Sequence, residues 1–79
     1  IGSSGYEVRT IQTQLNSISD HYPMIPKIRV DGVFGTQTQN AVRTFQQIFY
    51  LPVTGIVDLA TWYKISGIYV AVNRLSEFG

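Results

Sequence analysis

Apolar residues recur along this chain at the three-and-four spacing of a helix in three separate runs. Val8, Ile11, Leu15 and Ile18 make the first, which predicts a helix from about Tyr6 to Ile18 with Arg9, Thr13 and Asn16 turned to water. Thr38, Ala41, Val42, Phe45 and Phe49 make the second, a helix from Thr36 to about Phe49 that Leu51-Pro52 stops. The third starts at Asp58 and continues to about Leu75, with Gly67 as a weak point costing about 1 kcal/mol relative to alanine. Its polar stripe is only Lys64, Gly67, Ala71 and Arg74, while Trp62, Ile65, Ile68, Tyr69, Val70, Val72 and Leu75 cover the rest. Either this helix is the centre of the bundle or its far side docks onto something outside the chain. Between the first two runs, Pro23 and Pro26 forbid a continuous helix over Ser19 to Val30 and predict an ordered surface loop. The pattern as a whole predicts an all-α three-helix bundle with a long looped crossover between its first and second helices.

The entries to the second and third helices repeat one another. Val30-Asp31-Gly32-Val33-Phe34-Gly35-Thr36-Gln37-Thr38 returns in degenerate form as Val53-Thr54-Gly55-Ile56-Val57-Asp58-Leu59-Ala60-Thr61. In each copy the first Gly suits a turn that needs positive φ, and Gly35 or Asp58 stands at a helix N-cap with Thr38 or Thr61 at the third helical position. Gln12 and Gln46 sit late in two apolar stripes, where a polar group must be paired, and are expected to tie buried loop backbone to the bundle. For Asp31 two readings stand side by side. It bonds neighbouring amides in an Asx-type turn with Phe34 in the core, which is the preferred reading, or it joins a ligand site at that turn.

Three blocks carry a resemblance to a known family. Gly5-x-x-Val8-x-x-Ile11-Gln12-x-x-Leu15-Asn16 is the first, and Asp31-Gly32-x-Phe34-Gly35-x-x-Thr38-x-x-Ala41-Val42-x-x-Phe45-Gln46 the second. The third is Thr54-Gly55-x-Val57-Asp58-x-x-Thr61-Trp62. Together they resemble the peptidoglycan-binding domain family 1, in that family's order and roughly its spacing. The resemblance implies a small three-helix module, itself non-catalytic, that tethers bacterial cell-wall hydrolases to peptidoglycan outside the cell. Two features depart from the family pattern: Thr36 stands where proline is frequent, and the stretch after Trp62 is longer and more apolar than the family needs. Gly2-Ser3-Ser4-Gly5 matches the residues that commonly precede the family's first helix and is taken as native.

Composition narrows the partners. A chain of 79 residues is expected to be one domain over 1–79, cut from a larger protein, and it buries only about 60% of its unfolded surface. Six Lys and Arg against five Asp and Glu leave a net charge of +1, far from the basic stripe a nucleic-acid partner calls for. A three-helix DNA binder would also need a recognition helix rich in Arg or Lys, and the second helix has Arg43 alone. No apolar run approaches the ~18 residues of a membrane span. Cysteine is absent, which removes disulfides and thiolate metal sites.

Catalysis is not expected either. Glu7, Asp20, Asp31, Asp58 and Glu77 are scattered, and His21 is the only imidazole, whereas acid–base or nucleophilic catalysis needs two or three such groups to converge. One His with one nearby carboxylate also falls short of a catalytic zinc site, and no cofactor is implied. Peptidoglycan offers stem-peptide carboxylates, sugar hydroxyls, N-acetyl amides and flat apolar faces, so a binder wants amide donors, a cation and an aromatic platform. The start of the second helix lacks a side-chain cap at Gly35, leaving amides free for an anion. The expected ligand site therefore gathers Tyr22, Arg29, Asp31, Gly35, Thr36 and Gln37, with glycan or stem peptide as ligand and a catalytic domain in the parent chain as partner. Tyr22, Tyr50 and Tyr63 are candidates for an exposed aromatic surface, and the alternative function is a protein-docking domain using the apolar face of the third helix.

Overall fold

The computed structural model describes the backbone of residues 5–78 and the side chains of residues 5–74. Gly2-Ser3-Ser4 and the side chain of Leu75 lie outside the described residues. Three helices follow one another: α1 Tyr6–Ser19, α2 Thr36–Ile48 and α3 Leu59–Phe78. The apolar stripe read for α1 is a buried face, that of α2 is buried apart from the half-buried Phe49, and that of α3 is buried only in part, with Val70 exposed. Val8, Ile11, Leu15 and Ile18 of α1, Ala41, Val42 and Phe45 of α2, and Ile65 and Val72 of α3 are all buried. Fully burying such a side chain contributes about 1.5–3 kcal/mol, and this shared interior is what holds three short helices together.

The three helices all meet, α1 packing mainly along α3 and more lightly against α2. Packing against its neighbours covers only part of the apolar surface of α3. Leu59, Tyr63 and Val70 stay exposed on it, while Trp62, Ile68 and Tyr69 are half-buried against the core. Asp58 caps the helix, its Oδ1 accepting the Thr61 N–H at 2.9 Å.

The crossover is more than a surface loop. Ile25 and Ile28 enter the core, and polar side chains on the end of α1 hold them there. Ser19 Oγ donates to the Ile25 carbonyl at 2.6 Å. Asn16 brackets Ile28, donating from Nδ2 to its carbonyl at 2.7 Å and accepting its N–H on Oδ1 at 2.8 Å. Asn16 is thus a loop anchor and not a residue turned to water. Lys27 adds an ion pair to Asp20 across the neck of the loop. Helix α2 ends at Ile48, and Tyr50 takes the left-handed conformation with φ 61° while the Leu51 N–H reaches the Gln46 carbonyl at 2.8 Å. This is a Schellman-type stop in which tyrosine occupies the place usually given to glycine.

Candidate functional site

Gln12, on the buried face of α1, spends its whole amide on the turn that enters α2. Its Oε1 accepts the N–H groups of Asp31 and Gly32 at 3.0 and 2.9 Å. Its Nε2 donates to Asp31 Oδ1 at 2.9 Å and to the Val33 carbonyl and Thr38 Oγ1, both at 3.0 Å. Gln46 on α2 repeats the arrangement at the entry to α3. Its Oε1 accepts from Thr54 and Gly55, both at 2.9 Å. Its Nε2 donates to the Ile56 carbonyl at 3.0 Å, Thr61 Oγ1 at 3.2 Å and Thr54 Oγ1 at 3.3 Å. Both glutamines are almost wholly buried, so their amides replace water for backbone that would otherwise be orphaned.

The turns themselves match. Gly32 and Gly55 hold φ of 76° and 75°, as the repeated glycine requires. An arginine lies over each: a methyl group on Gly32 would stand 3.0 Å from Arg9 Nε, and one on Gly55 2.9 Å from Arg43 Nε. Asp31 Oδ1 accepts the Val33 N–H at 2.9 Å, and Thr54 Oγ1 does the same for Ile56 at 3.1 Å. The backbone hydrogen bond from Val33, then the one from Gln12, hold the Asp31 carboxyl below the ordinary carboxylate range.

The residues expected to form a ligand site divide into two groups. Arg29, Asp31, Gly35, Thr36 and Gln37 stay in one neighbourhood around the start of α2, where Gly35 has extended backbone and no side-chain cap. Tyr22 is elsewhere. Its ring packs edge-on against Phe49, centroids 5.1 Å apart, at the far end of α2, about 20 Å from Gly35 at 1.5 Å per residue. Asp31 Oδ1 and the Thr38 Oγ1 of the first turn share Gln12 Nε2 as donor, which ties the carboxylate to the turn that enters α2.

A second group of residues is gathered by a cleft of about 460 Å³ lined by Tyr6, Arg9, Thr10, Thr13, Gln14, Val30 and Tyr69, a size ordinary for small-ligand sites. Tyr6 is 84% exposed and Tyr69 half-buried, so the cleft has aromatic walls at two places. Gln14 Oε1 is buried with no hydrogen-bond partner. Among the described residues Arg9 has no ion-pair partner. Sequence reasoning placed Arg9 and Thr13 on a solvated face and went no further. The available signal was the stripe Tyr6, Arg9, Thr10, Thr13 and Gln14 itself, an aromatic, a cation and an amide at helical spacing.

Among the described residues no three His, Cys, Asp or Glu side chains converge, and no helix is long and apolar enough to cross a membrane. Among the described residues the cleft brings together a cation without an ion-pair partner, an amide and aromatic rings on a helical frame. Residues 4–65 match the family model described as "Putative peptidoglycan binding domain", most of the chain's length, and the chain belongs to that family. No curated protein and no solved structure gives a significant match.

Proposed function

We propose that this domain is a non-catalytic peptidoglycan-binding module that holds an attached cell-wall hydrolase against its substrate, outside the bacterial cell. Membership of the peptidoglycan-binding family over residues 4–65 is the observation that carries the reading. The disposition of polar groups supports it. The two buried glutamines and the carboxylates of Asp31 and Asp58 are engaged in holding turns and helix starts, which leaves surface groups suited to binding and none paired as acid and base. The test is co-sedimentation of the isolated domain with purified peptidoglycan, together with assay of the supernatant for released muropeptides. The domain is expected in the pellet with no soluble fragments formed. A domain that stays in the supernatant contradicts binding, and turnover that persists through repurification and mutation of His21 contradicts the non-catalytic part.

The bare positions on α3 favour a second use of the same domain. Leu59, Tyr63 and Val70 are 62%, 69% and 53% exposed, and apolar side chains of this size left in water suit packing against a neighbouring domain of the parent chain.

A further inference from the structure

We propose that the cleft between α1, Val30 and Tyr69 is a subsite for the peptide stem of peptidoglycan, with Arg9 receiving the stem's C-terminal carboxylate and Gln14 an adjacent N–H. The inference rests on the peptidoglycan reading and goes beyond it by naming the part of the polymer that is bound and the side chains that hold it.

Three observations converge on this cleft. Arg9 lines it without an ion-pair partner among the described residues, and an unpaired guanidinium at a cleft wall is a ready bidentate donor to a carboxylate. Gln14 lines the same cleft, and its Oε1 is the one buried side-chain acceptor among the described residues with no partner. Leaving such an atom unpaired costs stability, and its terminal torsion is soft, so turning the amide offers that oxygen to a donor in the cleft. Tyr6, Tyr69 and Val30 complete the walls with apolar surface. A cation, an unused acceptor and aromatic walls together call for a ligand with an anion, an N–H close by and short aliphatic groups. Stem peptide has all three. The glycan strand supplies hydroxyls and N-acetyl groups, but the lactyl acid of each muramic residue is consumed by its amide bond to the stem, so the strand has no anion to give Arg9.

The repeat contains its own control. In register with Gln12 and Gln46, Arg9 corresponds to Arg43, and both lie over a turn glycine. Tyr6 and Gln14 correspond to Asn40 and Ile48, which supply neither the ring nor the amide. If arginine served only to cover the glycine, the two arginines would be interchangeable in their effect on binding.

The experiment measures binding of a synthetic stem tetrapeptide with a free C-terminal carboxylate, and of its C-terminal amide, to the parent and to Arg9→Gln, Gln14→Leu and Arg43→Gln variants. Glutamine keeps much of the aliphatic cover over the glycine while removing the charge. Binding of whole sacculi and of sacculi stripped of stems by an amidase, both fixed to beads and the stripped strands with their freed lactyl carboxyls capped as amides, is measured alongside, and melting temperatures check folding. The expected result is about a tenfold loss of peptide affinity in Arg9→Gln and roughly a fivefold loss in Gln14→Leu. Arg43→Gln is expected to bind as the parent, the amidated peptide to bind weakly, and stripped sacculi to retain little protein. Equal binding of acid and amide by the parent overturns the assignment without recourse to any variant, as does a folded Arg9→Gln that binds as the parent. Equal retention on whole and stripped sacculi removes the stem as ligand while leaving peptidoglycan binding intact. Failure of the parent to bind whole sacculi removes both.

Discussion

The entry to α2 and the entry to α3 are built alike, yet each places its carboxylate differently. Both turns are clamped by one buried glutamine, both carry a glycine near φ 75°, and both present a threonine from the first helical turn to the glutamine amide. In the first unit the carboxylate is Asp31, inside the turn, and the N-cap position is Gly35 without a side-chain cap. In the second unit the turn residue is Thr54, and the carboxylate has moved to the cap as Asp58, bonded to the Thr61 N–H. The two helix starts thus differ: that of α3 has a carboxylate bonded to one of its amides and that of α2 has none, a difference the helix dipole feels. In the first unit, among the described residues, Arg9 has no ion-pair partner and Gln14 Oε1 no hydrogen bond.

The largest test of the likeness is removal of the clamps. Gln12→Ala and Gln46→Ala each strand buried turn backbone and should each cost about 3 kcal/mol, a large share of the stability of so small a domain. Urea denaturation of both variants measures the two losses. Losses of similar size are expected, and a mild loss at either position breaks the equivalence.

The turn glycines come next. Gly32→Ala and Gly55→Ala force a side chain into left-handed backbone and should cost about 1–2 kcal/mol. The second should cost more, because the added methyl meets both Arg43 Nε and Gln39 Cγ at 2.9 Å, whereas at Gly32 the nearest atom is Arg9 Nε at 3.0 Å. Thermal unfolding of the pair decides this, and identical melting of both variants with the parent would refute the shared-turn account.

Exchange of the caps sharpens the difference between the units. Asp58→Ala should cost about 1 kcal/mol through loss of the Thr61 hydrogen bond. Gly35→Asp should gain only a few tenths of a kcal/mol, since glycine is already a tolerable N-cap. Its backbone is extended, with φ −98° and open space around the added side chain, so the variant should fold. Wall binding should be unchanged by Gly35→Asp if the ligand sits in the α1 cleft and weakened if it sits at the start of α2.

The smallest effect is on pH. Asp31 and Asp58 both have carboxyls lowered from the ordinary value of 3.8, each chiefly by a backbone hydrogen bond, from Val33 and from Thr61. Because the folded state favours their ionised form, this contribution is present above that ordinary value and disappears as pH falls through the lowered folded-state values. Melting temperature should therefore fall on acidification below the usual carboxylate range, and Asp31→Asn and Asp58→Asn should each flatten part of that fall. An unchanged slope in both would contradict the hydrogen bonds assigned to them.

What was legible in the sequence was whatever repeats. Three helical periods, two turn glycines and two buried glutamines each announced their role more than once, and the structure places them accordingly. Residues with a single, non-periodic role were not legible. Ile25 and Ile28 lie in a proline-containing loop, where no period distinguishes core from surface, and only the folded contacts with Ser19 and Asn16 draw them inward. Asn16 falls on the polar side of its helix, so helical spacing alone sends it to solvent. Tyr22 is near Arg29 in sequence, but the loop carries it to Phe49 at the opposite end of α2. The cleft was hidden for a related reason: Tyr6 and Gln14 come from one helix, but Val30 and Tyr69 come from distant parts of the chain.

The most direct test of the asymmetry between the two units is a backbone amide chemical-shift titration with a soluble disaccharide–stem peptide. The account predicts shifts clustered on Tyr6 to Gln14 and around Val30, with the clamp amides of Thr54 and Gly55 unmoved. Shifts concentrated at Gly35 to Gln37, or around Tyr50 and Tyr63 with α1 silent, would contradict it.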